Sequence, residues 1–239
     1  MGSIPTRGTM DKQSKINQNF FKIWLPEMAY ILGFIVADGC IIKRKDRKDS
    51  YILNITSKDI EILEKIKTAI QSEYQIGKKY NSLGLPYGQI QICNNTICKD
   101  LIRLGINPQK TYNIKPLNIP QKHFPDFVRG FFDGDGTVYI YNVNKTPQIK
   151  SGFVCASLDF LDDFNKKLCK SLSIKSKNIY KTVALNNRVP QYSIRFCVND
   201  SKKLEEFMYQ NNPPLYLNRK KQIFNKWKTI SRRHYIKKQ

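Results

Sequence analysis

Two carboxylates stand out for where they sit. Asp38 closes the stretch Ile31-Leu32-Gly33-Phe34-Ile35-Val36-Ala37-Asp38-Gly39, and Asp135 closes its near-copy, Val128-Arg129-Gly130-Phe131-Phe132-Asp133-Gly134-Asp135-Gly136, 97 positions later. Both stretches read as apolar helices ending in an acid. A carboxylate there faces the negative end of the helix dipole, at a cost of roughly 0.3–1 kcal/mol. Small residues four apart, Gly33/Ala37 and Gly130/Gly134, leave a flat strip on each helix against which another backbone can close. Helices packed on these strips would bring Asp38 and Asp135 together, and like charges at short range repel. Acids placed this way make a site for a cation. Gly39 and Gly136 are expected in the left-handed conformation that often ends a helix.

The totals point to the partner. The chain of 239 residues carries 41 Lys+Arg against 19 Asp+Glu, a formal charge of +22. That surplus favours a polyanion. No long apolar run or lipidation motif suggests a membrane. The six cysteines, Cys40, Cys93, Cys98, Cys155, Cys169 and Cys197, form no Cys-x-x-Cys pair, and His123 and His234 are the only imidazoles. A structural zinc site is disfavoured, and several of the cysteines sit in apolar alternation and read as small core residues. With no secretory apolar segment at the start, an intracellular, non-secreted protein is expected.

The elements that must position the acids can be read in order. Residues 1–22 read as a flexible tail. Pro26 opens a helix to about Asp38; a hairpin follows from Cys40-Ile41-Ile42 to Tyr51–Thr56, and Ser57 is the expected cap of a helix with a stripe at Ile60, Leu63, Ile66, Lys67 and Ile70. A second hairpin spans about 78–83 and 87–93, and Asn94 or Asn95 starts a short helix. The proline-bearing stretch 106–122 reads as a linker. The order then restarts: a helix over about 123–135, strands at 137–141 and 149–156, Ser157 before a helix, strands near 178–184 and 191–198, and a helix from Asp200 or Ser201 to Met208. The halves superpose with offsets of 97 at the acids, 100 at Ser57 and Ser157, and 104 at Gln91 and Arg195. This divides the chain into a first half over 23–105, the linker over 106–122, a second half over 123–210 and a basic C-terminal helix and tail over 211–239. The tail is strongly basic, with Arg219, Lys220, Lys221, Lys226, Lys228, Arg232, Arg233, Lys237 and Lys238, and Ile223, Phe224, Trp227 and Ile230 give it an apolar face with a cationic outer side.

The two nonapeptides, the repeated αββαββα order and the Leu-Gly-Ile-x-Pro-x-Lys stretch at 104–110 resemble the LAGLIDADG homing endonucleases of single-chain, two-motif type. The resemblance runs from about Trp24 to Lys228. Its most specific part is Phe-Val-Arg-Gly-Phe-Phe-Asp-Gly-Asp-Gly-Thr-Val at 127–138; the first copy is looser, with Val36 where the second has Asp133. The resemblance implies an α+β fold of two pseudo-symmetric αββαββα halves, with saddle-shaped antiparallel sheets laid in the major groove of a duplex on the order of 20 base pairs. It implies an intron-encoded type of monomer that cuts both strands of double-stranded DNA with Mg²⁺ or Mn²⁺.

Hard oxygen-ligated ions suit a site of two carboxylates, phosphates and water, and they both activate water and stabilise the leaving oxygen. Asp38 and Asp135 are the implied catalytic metal ligands, completed by the backbone carbonyls of Ala37 and Gly134. By strand position Gln91 and Arg195 belong to the pocket that holds the attacking water; Gln91 brings no charge, and Lys43 is the candidate to supply it. The DNA-reading candidates are Lys43, Lys45, Arg47, Tyr51, Asn54, Lys78, Tyr80, Tyr87, Gln89, Tyr139, Tyr141, Asn142, Lys150, Tyr180, Lys181, Arg188, Gln191 and Ser193. Their facing depends on register, since a slip of one residue turns every side chain over. The rival reading is a nucleic-acid-binding protein on the same fold, silent in cleavage or dual in function: a splicing maturase that takes intron RNA, or a transcription regulator.

Overall fold

The computed structural model describes residues 15–45, 49–108, 113–183 and 190–236. The first half runs α1 (Pro26–Asp38), β1 (Gly39–Lys43), β2 (Tyr51–Ser57), α2 (Ile60–Ala69), β3 (Ile76–Tyr80), β4 (Pro86–Ile92) and α3 (Asn95–Arg103). The second runs α4 (Phe124–Asp135), β5 (Gly136–Val143), β6 (Thr146–Cys155), α5 (Leu158–Ser171), β7 (Tyr180–Thr182), β8 (Gln191–Phe196) and α6 (Val198–Tyr209), and is followed by α7 (Asn218–Ile236). Each half holds one four-stranded antiparallel sheet, ordered β1-β2-β4-β3 and β5-β6-β8-β7. The αββαββα order therefore occurs twice, as expected.

Local chemistry sets most boundaries. Pro26 and Pro125 open the two motif helices where a missing N–H costs nothing. The Asn94 side chain accepts from the Ile97 N–H at 3.1 Å and starts α3, and the Ser157 hydroxyl accepts from the Phe160 N–H at 3.4 Å and starts α5. Ser57 does not cap α2. The capping position is Asp59, and the Ser57 hydroxyl accepts from its N–H at 3.1 Å.

Strand register makes the duplication residue-specific. Gly39 stands opposite Ile55, and Ile55 opposite Ile90; Gly136 stands opposite Phe153, and Phe153 opposite Ile194. One row further, Cys40–Asn54–Gln91 corresponds to Thr137–Gly152–Arg195, so Gln91 and Arg195 are equivalent. Ser57 and Ser157 are not. Ser57 lies opposite Gly88, as Cys155 lies opposite Tyr192, and the match of Ser157 is Asp59 at the helix cap.

The two halves contribute different residues to the common core. Ile55, Ile62, Leu63, Ile66, Ile90 and Ile92 fill the first, whereas Phe131, Phe153, Phe160, Phe164 and Phe196 interlock in the second, with Phe153 and Phe164 at 4.9 Å between ring centres. Aromatic pairs at such spacing add about 0.5–1.5 kcal/mol beyond burial.

Three expectations need correction. Gly39 and Gly136 are extended, at φ −104° and −76°, not left-handed. Glycine is needed there because a side chain would overlap Ile35 and Phe132 of the helix that has just ended. The tail expected over 1–22 is ordered before residue 22: Phe20 and Phe21 are buried, and the Asn17 N–H donates to Ile70 O at 3.1 Å. The linker is packed rather than merely stiff, since Ile114 and Leu117 are buried in the common core.

Candidate catalytic centre and nucleic-acid interface

The centre starts from the small residues of α1 and α4. Gly33 lies against the backbone of Phe127 and Phe131, Gly130 against the backbone of Tyr30 and Phe34, and Gly134 against Ala37; a β-carbon at any of the three glycines would overlap those neighbours. Contact at the level of the main chain brings the two helix ends together. A β-carbon on Gly134 would lie 3.4 Å from Asp38 Oδ2. Asp38 and Asp135 are half-buried, and both carboxylates act on the same ammonium, that of Lys220. A cleft of about 500 Å³ opens beside them, lined among others by Asp38, Gly134, Thr137, Lys58, Tyr87 and Lys220.

Lys220 was expected on the outer, cationic side of the C-terminal helix. It is instead 4% exposed. Its ammonium donates to the carbonyls of Phe132 at 2.6 Å, Asp133 at 2.8 Å, Gly134 at 3.2 Å and Gly136 at 2.6 Å. The carbonyls of Asp133 and Gly134 are ones that the end of α4 leaves without helical partners, Phe132 O also accepts from the Gly136 N–H, and Gly136 opens β5. Burial pulls the Lys220 pKa down to about 8, against the opposing pull of Asp133 and, more weakly, of Asp38 and Asp135. The sequence did hold a signal: Lys220, Phe224 and Trp227 share one helical face at i, i+4 and i+7, the face that is buried.

Asp133, where the first copy has Val36, is a structural acid. It is 2% exposed, and its Oδ2 accepts from the Tyr30 hydroxyl and the Leu217 N–H, both at 2.7 Å. Burial pushes its pKa up to about 6, opposed by the Tyr30 hydrogen bond and the Lys220 charge. Arg129, also on α4, donates to Leu215 O at 2.7 Å, Met208 O at 2.8 Å and Asp126 Oδ1 at 2.7 Å. These contacts tie the segment before α7 to the second motif helix. Arg219 then reaches the first half with a bidentate bond to Asp59, its Nε donating to Oδ1 and its Nη2 to Oδ2, both at 2.8 Å. The start of α7 thus bridges both halves beside the acids.

Alternation along each strand separates a helix-packed face from an open one. Cys40, Asn54 and Gln91 share a row of the open face in the first half, with Tyr87 and Gln89 on the same side. Thr137 and Arg195 share the matching row in the second half with Gly152 between them; Tyr139, Tyr141, Lys150, Tyr180, Gln191 and Ser193 also lie on that side. The Arg195 guanidinium sits 4.9 Å above the Tyr180 ring, and the Lys150 ammonium 5.7 Å from the Tyr141 ring.

Other candidates sit on the opposite side. Lys43 pairs with Tyr51, whose ring packs on the core, and Lys181 pairs with Tyr192, which does the same. Lys78 pairs with Gly88, which faces Leu63 and Ile60 of α2, and Tyr80 follows it by two. Asn142 alternates with Val138 and Ile140 on the helix side, at the far end of its hairpin. Each is one residue from an open-face position, and Lys79 and Gln148 are open-face residues that pattern reading passed over. Lys43 is therefore not placed to supplement Gln91. Lys45 lies exposed in the turn after β1, while Arg47 and Arg188 lie outside the described residues.

The donors around the acids are all hard oxygens: the carboxylates of Asp38 and Asp135 and the carbonyls of Ala37 and Gly134. Among the described residues no cluster of three or more His, Cys, Asp or Glu side chains forms a metal site. The set fits a divalent ion that takes its remaining ligands from phosphate and water.

Comparison with known proteins agrees with this fold. Residues 26–93 match the LAGLIDADG-like domain family. No curated protein matches the chain. The LAGLIDADG homing endonuclease I-GzeII, solved in complex with its DNA target, is similar over 90% of this chain and 92% of that one, at 14% identity and a TM-score of 0.58. The meganuclease I-SmaMI, bound to uncleaveable DNA, is similar over 90% and 91%, at 16% identity and a TM-score of 0.60. The LAGLIDADG meganuclease I-AabMI, bound to uncleaved DNA, is similar over 90% and 92%, at 16% identity and a TM-score of 0.55. At such identities what is shared is the fold, two repeated halves of homing-endonuclease type.

Proposed function

We propose that this protein is a site-specific DNA endonuclease that hydrolyses one phosphodiester in each strand of a long duplex target, on the order of 20 base pairs, with Mg²⁺ or Mn²⁺. The observation that carries the reading is the main-chain packing of α1 on α4, which delivers one acid from each half to a single seam. The matching solved structures hold DNA, which supports double-stranded DNA as the ligand of this chain.

The chain's own residues then have separable tasks. Asp38 and Asp135, with the carbonyls of Ala37 and Gly134, would hold the divalent ions. Once bound, such ions lower the pKa of water and stabilise the leaving oxygen. Gln91 and Arg195, equivalent on the open faces, would orient water and phosphate, Arg195 with charge and Gln91 by hydrogen bonding alone. The tyrosines, Lys150 and the amide side chains of the open faces are the base and phosphate contacts. Arg and Lys suit guanine and phosphate, and Gln and Asn suit adenine.

The test is Asp38→Asn and Asp135→Asn. Either change should abolish double-strand cleavage while duplex binding stays within a few-fold of the parent. A variant that cuts both strands at the normal rate would remove these acids from the chemistry. A parent that binds duplex tightly and never cuts would move the protein to the binding class, where intron RNA becomes the next ligand to try.

A further inference from the structure

The C-terminal helix contributes to the acid pair a group that neither motif contains. Lys220 is buried, and its ammonium is ringed by four main-chain oxygens from the end of α4 and the start of β5, including that of Gly134. It lines the same cleft as Asp38, and its charge interacts with those of both Asp38 and Asp135. Oxygen donors converging on a cation beside two carboxylates are what a bound metal ion would also have. The helix carrying it is fixed on either side: Leu217 N–H to Asp133 Oδ2 at 2.7 Å, and Arg219 to Asp59. The Lys220 side chain cannot swing out of a helix so fixed without breaking its bonds to the four carbonyls.

Resting on the nuclease reading above, we propose that Lys220 is a positioning residue that serves as the built-in cation of the centre. It holds the two acids together when no metal is bound, and it keeps their affinity for free divalent ions low. Two positive species beside the same carboxylates repel, so the ammonium works against the metal until phosphate oxygens add negative charge. The chain is thereby kept from loading metal strongly before it has engaged a duplex.

Lys220→Met keeps the length and apolar stem and removes the charge. Without DNA, Lys220→Met should bind Mn²⁺ about tenfold more tightly than the parent, read by calorimetry or manganese electron paramagnetic resonance. Its thermal midpoint should rise with added Mn²⁺, whereas that of the parent should barely move. Both gains should vanish in the triple variant that also carries Asp38→Asn and Asp135→Asn. If Lys220→Met does not fold alone, Mn²⁺ should restore folding, because the ion takes the ammonium's place. The proposal is overturned if Mn²⁺ binds Lys220→Met no more tightly than the parent, or if an unfolded Lys220→Met is not rescued by the metal; Lys220 would then only cap α4. Failure of the nuclease reading shows elsewhere, as a parent that never cuts DNA, whatever Lys220→Met does with Mn²⁺.

Discussion

Gly130→Ala adds a single methyl group at the tightest point of the molecule. The new β-carbon would overlap the Tyr30 carbonyl and lie against the Phe34 amide, both rigid main chain that no rotamer change can move. Helix propensity favours alanine by about 1 kcal/mol. Against it stands overpacking of about 1–3 kcal/mol or more, because α1 and α4 must separate along a contact that buries Tyr30, Phe34, Phe127 and Phe131. The upper part of that range is expected, since the obstacle is backbone, and the net destabilisation is about 2 kcal/mol, or a fall in Tm of about 4–8 °C for a chain this long. The separation also moves Asp38 from Asp135, and a displacement of about 1 Å in a catalytic group costs on the order of a hundredfold in rate. Gly77→Ala is the control: its β-carbon would meet only Gln89 O at 3.8 Å, an ordinary contact, so it should change stability little. Scanning calorimetry of both variants, with single-turnover cleavage, gives the answer. Gly130→Ala as stable and as active as the parent would mean that the helices do not meet at main-chain distance.

Two further outcomes follow. Burial lifts Asp133 from its ordinary 3.8 to about 6, so the native state holds a proton that the unfolded chain releases between about pH 4 and 6. This contribution is fully present below about pH 4 and is lost as pH rises through 6, on the order of 2–3 kcal/mol in all. The urea midpoint of the parent should therefore fall relative to Asp133→Asn over that window, and parallel pH profiles would refute the assignment. Duplex affinity should drop by about a thousandfold between 50 and 200 mM salt, as expected if six or more phosphates are neutralised. A nearly flat series of binding curves would count against the basic open faces as the DNA surface.

The sequence declared its architecture where local chemistry and long-range packing agree. Pro26 and Asp38 bound α1 as read, because a proline start and an acid–glycine stop leave little freedom. The small-residue strips foretold the helix contact, because only glycine or alanine lets two backbones meet. Facing was harder. Lys78, Lys181 and Lys43 were placed by composition, and cross-strand pairing puts all three on the helix side, one position from the open face. Lys220 was counted with the exposed charges of the tail, although its spacing to Phe224 and Trp227 put it on the buried stripe; what it meets there is decided by residues 84–88 positions away. The equivalence of Ser57 with Ser157 failed because two serines near a helix start resemble each other in sequence, while only pairing to Gly88 and Tyr192 fixes their rows.

The most direct test of the central claim is to incubate the full chain with a randomised duplex library, with and without Mg²⁺, and sequence the ends produced. A metal-dependent double-strand break at one recurrent site of about 20 base pairs is the expected result, absent from Asp38→Asn and Asp135→Asn. Ends that appear equally without metal, or a library that is bound and left intact at saturating Mg²⁺ and Mn²⁺, would contradict it.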